Sequence, residues 1–260
     1  MTTENKNKRH YVLVHGACHG AWCWFKLKPQ LQSAGNKVTV LDLAASGINP
    51  KRMEHVHSFA EYCEPLLELL ESLPPSEKVV LVGHSFGGLS LALAMDKFPH
   101  KIELAIFLAA FVPDTQHPPS YVLDQYVERN HPNGSGCLDT ELSPRGSITF
   151  GPNFLCEKLY QLCSSEDLEM AKTLVRPGSL FLEELREAKN FSKEGYGSAP
   201  VGYIVCNEDL AIPMEFQKWM IQNACVHEVT EIKDADHMWA MLSKPHQLCL
   251  ALLHIANNFT

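Results

Sequence analysis

Val79-Val-Leu-Val-Gly-His-Ser-Phe-Gly-Gly88 decides the fold. A short apolar run, Lys78 to Val82, reads as a buried strand. It breaks into a G-x-S-x-G turn, and Phe86 to Lys97, rich in Leu and Ala, reads as an apolar helix. A strand that reverses into a helix within one turn strains the backbone at the central serine and lifts its Oγ clear of the sheet. Gly83 and Gly87 leave room where side chains would collide, and Gly88 lets the helix pack close. The pattern predicts a nucleophile elbow with Ser85 as nucleophile and acyl transfer as the chemistry. The competing reading, a structural Gly-rich turn, does not explain the strand and helix that frame it.

The segments outward from the elbow alternate in the same way. Tyr11 to Val14 reads as a strand, followed by a loop, His15 to Gly20, and a helix through Leu31. Lys37 to Leu43 reads as a second strand, and Phe59 to Leu73 as a helix kinked or restarted at Pro65. Ile102 to Leu108 is a further strand. Such alternation predicts an α/β chain with a mostly parallel sheet and helices on both faces. From about Val112, prolines and glycines interrupt the periodicity, with helical runs at Phe154 to Cys163, Ser165 to Val175 and Ser179 to Lys189. Alternation resumes with the strand Val201 to Cys206, a helix near Glu215 to Asn223, the strand Glu228 to Lys233 and a last helix, Pro245 to Asn257. The chain, 1–260, is therefore expected to be one domain carrying a mainly helical insertion at about 112–199. That is far longer than an ordinary connection and is placed to act as a lid over the strand C-termini.

Composition narrows the partners. With 22 Lys and Arg against 30 Asp and Glu the net charge is −8, which disfavours nucleic acid and anionic membrane surfaces. Met1 to His10 is polar and lacks the apolar core of a secretory signal, and no apolar stretch is long enough to span a bilayer. Nine cysteines at irregular spacings, with no C-x-x-C pair, read as reduced thiols in a cytoplasmic protein. His15, Cys18 and His19 cluster but lack a second ligand pair at zinc spacing, so no metal and no cofactor is expected.

A serine hydroxyl needs a base, and the base needs an orienting acid. Of thirteen histidines, His237 alone combines a position after the last expected strand with one before the last helix. His84 adjoins Ser85, but the turn aims it away, and His254 lies within the terminal helix. For the acid, Asn207-Glu208-Asp209 follows a strand end, and Asp209 is favoured over Glu208 by loop reach together with the resemblance given below. Asp236 is the immediate neighbour of His237 and points apart from it. The oxyanion needs two backbone N–H groups: that of Phe86, the residue after the nucleophile, and that of Ala17 in the loop after the first strand.

The runs His15-Gly-Ala-Cys-His-Gly-Ala-Trp-Cys-Trp24, Leu41-Asp-Leu-Ala-Ala-Ser-Gly47, Gly83 to Gly88 and Ala235-Asp-His-Met238 together resemble the plant methylesterase and hydroxynitrile lyase family of α/β-hydrolases, over nearly the whole chain. That likeness implies the α/β-hydrolase fold and a triad of Ser85, Asp209 and His237, with Ala17 and Phe86 as oxyanion donors. It also implies a cytosolic plant enzyme, a homodimer, and a small methyl-ester substrate such as a hormone ester or an alkaloid carbomethoxy ester, whose product acid can lose carbon dioxide. Lyases of the family carry a lysine after the histidine and a threonine in place of Gly16; this chain has Met238 and Gly16, which favours ester hydrolysis. Cyanohydrin cleavage and slow-turnover ligand reception on a hydrolase scaffold remain as alternatives. Three departures bear on substrate: Trp239 looks inserted, the stretch Asn130 to Ile148 looks shortened, and Cys137 stands where the family often has a lid tryptophan. Met238, Cys137 and Trp239 are accordingly the expected substrate contacts.

Overall fold

The computed structural model describes residues 8–130, 137–143 and 146–259. Six parallel strands form the central sheet: β1 (His10–Val14), β2 (Lys37–Leu41), β3 (Val79–His84), β4 (Ile102–Leu108), β8 (Val201–Cys206) and β9 (Glu228–Ile232), in the order β2-β1-β3-β4-β8-β9. Three very short strands, β5 (Glu141–Leu142), β6 (Ser147–Thr149) and β7 (Gly178–Ser179), pair antiparallel in a separate small sheet. The helices are α1 (Lys28–Ser33), α2 (Phe59–Ser72), α3 (Gly87–Lys97), α4 (Tyr121–Asn130), the single turn α5 (Pro152–Phe154), α6 (Ser165–Leu174), α7 (Leu182–Glu187), α8 (Met214–Asn223), the short α9 (Trp239–Leu242) and α10 (Pro245–Asn257).

The inner strands β1, β3, β4 and β8 are buried on both sides because they are nearly continuous apolar runs, whereas the edge strands β2 and β9 mix in polar residues and are partly exposed. Alternate residues serve opposite faces. Val12, Val14, Val79 and Leu81 pack with Leu66 and Leu70 of α2, Leu89 and Met95 of α3 and Phe216 of α8. Tyr11, Leu13, Val80 and Val82 pack with Leu31 of α1 and with Leu248, Leu252 and Ile255 of α10. The strand order reverses at β1, which has β2 on one side and β3 on the other. In an open α/β sheet the crevice outside that reversal is where ligands bind. The loop after β1 and the elbow after β3 both open there.

The segment between β4 and β8 is inserted between two directly paired strands. It holds α4, α6 and α7, together with the small sheet, which periodicity did not predict because two- and three-residue strands carry no alternation to read. The expected helix at 154–163 is instead α5 followed by a π-helical turn, Leu155–Leu159. The helix expected after Gly20 splits into a 3-10 turn, Ala21–Trp24, and α1, which begins at Lys28 with Pro29 in its first turn, where a missing N–H costs nothing. No restart occurs at Pro65: α2 runs through it as one element, held by buried Tyr62, Cys63, Leu66 and Leu70. Much of the stretch expected to be shortened, Asn130 to Ile148, falls outside the described residues (131–136 and 144–145). Among the described residues no helix is long and apolar enough to cross a membrane.

Candidate active site

Ser85 closes β3 with φ of 55°, the left-handed backbone that L-residues adopt only when the surroundings enforce it. The elbow is pinned on two sides. Ser85 N donates to Leu108 O at the end of β4 (3.3 Å), and Ser85 O accepts from Gly88 N and Phe111 N (both 3.1 Å). Gly88 is required where α3 passes the Phe111 carbonyl, because a Cβ there would overlap it. The loop after β1 lies against the elbow: a Cβ on Gly16 would sit 2.8 Å from Ser85 Cβ and 3.3 Å from His84 Nδ1.

His237 and Asp209 meet from separate strand ends. His237 Nδ1 lies 2.7 Å from Asp209 Oδ2, with side chains 3 % and 0 % exposed. The other carboxylate oxygen, Oδ1, accepts from Ala211 N (2.8 Å) and Ile212 N (2.7 Å), which fixes the plane of the group. A carboxylate can only accept, so the imidazole proton sits on Nδ1 and Nε2 keeps its lone pair. Glu208, the rejected acid, points to solvent while its N–H bonds Ala235 O (2.9 Å). Asp236 does not orient His237. Its buried carboxylate accepts from Met238 N, Trp239 N and Leu162 N (2.9, 2.6 and 2.6 Å), bracing the turn that leads into α9, and burial pushes its pKa up.

His84 connects elbow and base. Its Nε2 donates to the His237 carbonyl (2.9 Å), and the two rings lie 4.4 Å apart. Burial first, then the neighbouring His237 and His19, holds the His84 pKa well below the usual imidazole range, so the ring is neutral. Among the described residues, Asp209 is the hydrogen-bonded partner of the His237 ring and no hydrogen bond yet joins Nε2 to Ser85 Oγ. Such links commonly tighten only when substrate binds.

The oxyanion-hole candidates lie on both sides of Ser85. Phe86 opens α3, so its N–H sits at the positive end of the helix dipole. Ala17 N–H belongs to the peptide whose carbonyl, Gly16 O, accepts from His15 Nδ1 (2.8 Å) and His19 N (3.4 Å). Neither Ala17 N–H nor Phe86 N–H is used by a hydrogen bond among the described residues. The Phe86 ring packs against Phe59 and Tyr62 at centroid distances of 5.8 and 6.3 Å.

The expected substrate contacts are placed differently. Met238 is wholly buried in the cluster on the opposite face of the sheet from Ala17 and Phe86, and offers a ligand no surface. Trp239 packs against that same cluster, with Lys244 Nζ 4.1 Å from its ring centre. Cys137 is exposed. A cleft of about 1260 Å³ lies between residues 45–57 and the small sheet; none of those three lines it, and neither do Ser85, Asp209 or His237. The His15, Cys18 and His19 side chains are engaged with Gly16 O and Leu43 N, Ile148 O, and Ala17 O and Tyr160 respectively. Among the described residues no group of three His, Cys, Asp or Glu is arranged to hold a metal. Sequence reasoning weighed His19 only as a metal ligand and did not single out Tyr160, its partner 141 residues away; the one available signal was a second histidine in the loop after β1.

A family model described as the alpha/beta hydrolase family matches residues 11–251. Salicylic acid-binding protein 2 of Nicotiana tabacum is 55% identical, covering 98% of this chain and 99% of its own. Methylesterase 1 of Arabidopsis thaliana is 53% identical, covering 99% of each. Polyneuridine aldehyde esterase of Rauvolfia serpentina is 50% identical over 97% of each chain, and a crystal structure of polyneuridine aldehyde esterase superimposes with a TM-score of 0.93, covering 96% of this chain and 100% of that one. The chain belongs to the alpha/beta hydrolase family, among the plant esterases.

Proposed function

We propose that this protein is a serine carboxylesterase that hydrolyses methyl esters of small, largely apolar acids. The observation that carries the reading is the 2.7 Å His237–Asp209 pair packed, through His84, against a serine with φ of 55°. Ser85 Oγ attacks the ester carbonyl as His237 Nε2 takes its proton, and Asp209 stabilises the imidazolium. The amides of Ala17 and Phe86 receive the developing oxyanion. Methanol leaves with the proton from His237, and water then repeats the sequence on the acyl-enzyme, freeing the acid and Ser85. Relatives named methylesterase and polyneuridine aldehyde esterase support this substrate class. Where the acid freed is a β-formyl or β-keto acid, it loses carbon dioxide without a further protein group.

The segment at about 112–199 acts as the lid in this reading, and the active form is a cytoplasmic homodimer. Likeness to the family supports both, and nine unpaired cysteines suit a reducing compartment. Purified protein and its Ser85→Ala variant, assayed on methyl salicylate, methyl jasmonate, methyl indole-acetate and an alkaloid carbomethoxy aldehyde, test the function. Turnover of at least one ester, lost in the variant, is expected; equal rates in both proteins would overturn it. The tobacco relative's name favours one second reading, ligand reception with negligible turnover. Tight binding of an acid by a protein inert on the whole panel would establish that instead.

A further inference from the structure

Residues 159–162 of the inserted segment, a stretch of four, reach all three loops of the site. Leu159 O accepts from Met238 N (3.2 Å) and Leu162 N donates to Asp236 Oδ2 (2.6 Å), both in the loop of the base. Gln161 Nε2 donates to Glu208 O (2.7 Å), in the loop of the acid. Tyr160 OH lies 2.8 Å from His19 Nε2, in the loop of the oxyanion donor. The stretch emerges from the π-helical turn, closed by Tyr160 N donating to Leu155 O (2.9 Å). Such widened turns recur at functional sites.

The His19 ring has one orientation and one tautomer. It stacks on Trp22 (ring centres 5.3 Å apart, planes at 25°), and the Tyr160 ring lies nearly parallel to it (6.0 Å, 11°) with the hydroxyl at the Nε2 edge. Its Nδ1 lies 2.9 Å from Ala17 O, and a carbonyl only accepts, so Nδ1 carries the proton. Burial, with lesser contributions from His15 and His237, lowers the His19 pKa to about 3 and keeps the ring neutral. Nε2 is therefore an acceptor, and the Tyr160 hydroxyl donates to it. The bonds run in one direction, from Tyr160 through His19 to the Ala17 carbonyl. The loop they hold is strained: Cys18, the next residue, has φ of 62°. Strain of that kind persists only where neighbours enforce it.

We propose that Tyr160 and His19 are a positioning pair that holds the Ala17 amide on the oxyanion, so that the inserted segment sets the chemical rate as well as covering the site. The proposal rests on reading Ala17 as an oxyanion donor in ester hydrolysis. Neither residue touches the reacting atoms. Removing such a donor outright typically slows kcat by about 10²–10³, and loosening it should cost less.

The test uses the full chain with 4-nitrophenyl acetate as ester, and phenyl trifluoromethyl ketone as an inhibitor whose adduct with Ser85 places an oxyanion in the hole. Tyr160→Phe keeps the ring and removes only the donor. It is expected to lower kcat about tenfold, weaken the ketone by a similar factor and leave KM within about twofold. His19→Leu should lose more. His19→Asn, which keeps an N–H near the Nδ1 position, should recover most of the difference between His19→Leu and Tyr160→Phe. The proposal is overturned if Tyr160→Phe matches the parent in kcat and ketone affinity. It is equally overturned if His19→Asn is no better than His19→Leu, or if KM rises with kcat unchanged. Should His19→Leu not fold, Tyr160→Phe alone decides. A parent protein that neither turns over the ester nor forms the ketone adduct refutes the esterase reading itself, a result distinct from active parent and unaffected variants.

Discussion

Replacing Asp209 by Asn tests the triad through a single proton. Oδ1 of Asp209 accepts from two amides, Ala211 N and Ile212 N, so an Asn side chain must present its oxygen there; the flipped amide would set NH2 against two N–H donors. Its NH2 then faces His237 Nδ1, now 2.7 Å from a carboxylate oxygen. The imidazole must answer with a lone pair on Nδ1, which moves its proton to Nε2, the atom that has to accept from Ser85. The base is still present but in the wrong tautomer. The loss expected from this inversion is about 10³–10⁴ in kcat, or roughly 4–5.5 kcal/mol of barrier at 1.36 kcal/mol per decade. KM should change little, because Asp209 is buried away from ligand. Steady-state rates on any methyl ester the parent hydrolyses, with thermal unfolding as a fold check, give the answer. A variant within tenfold of the parent would refute the reasoning, and a matching loss in Glu208→Gln would move the acid to its neighbour.

Two further outcomes follow from the same structure. Buried His15, His19 and His84 all have lowered pKa values, with burial the leading cause. As pH falls below about 6.5 the unfolded chain takes up protons that these folded groups refuse, so stability is lost toward acid. For His19, with a folded pKa of about 3, the loss reaches roughly 2 kcal/mol at pH 5; urea unfolding at pH 7 and pH 5 should show a drop smaller by about that amount in His19→Asn, and an equal drop would count against it. At Ser85, φ of 55° costs an L-residue roughly 1–2 kcal/mol, partly offset in glycine by chain entropy. Inactive Ser85→Gly should therefore outlast inactive Ser85→Ala by about 1 kcal/mol in urea, and equal midpoints would mean that the elbow stores no strain.

The central sheet was legible because its inner strands are short apolar runs ending in turn signals and its edge strands, β2 and β9, alternate β-branched with polar residues; β4 and β8 match the sequence reading residue for residue, and β9 stops one residue earlier. The candidates Ser85, Asp209 and His237 were legible for the same reason, since each follows a strand. What sequence could not supply was side-chain direction. Met238 adjoins His237 yet turns into the core on the other face of the sheet, and nothing in a loop fixes such a choice before packing does. Strands β5 to β7 are too short to show a period. Tyr160 sits in an apolar run that reads as helix, and its hydroxyl finds His19 only because a π-turn and the long inserted segment bring it there.

Site-resolved labelling with a fluorophosphonate measures most directly whether Ser85 is a nucleophile armed by His237 and Asp209. Digestion and mass spectrometry should find one adduct, on Ser85, formed together with loss of methyl-ester turnover and slowed at least a hundredfold in His237→Ala. Labelling of Ser85 at the parental rate without His237, or methyl-ester turnover that survives complete labelling, would contradict the account.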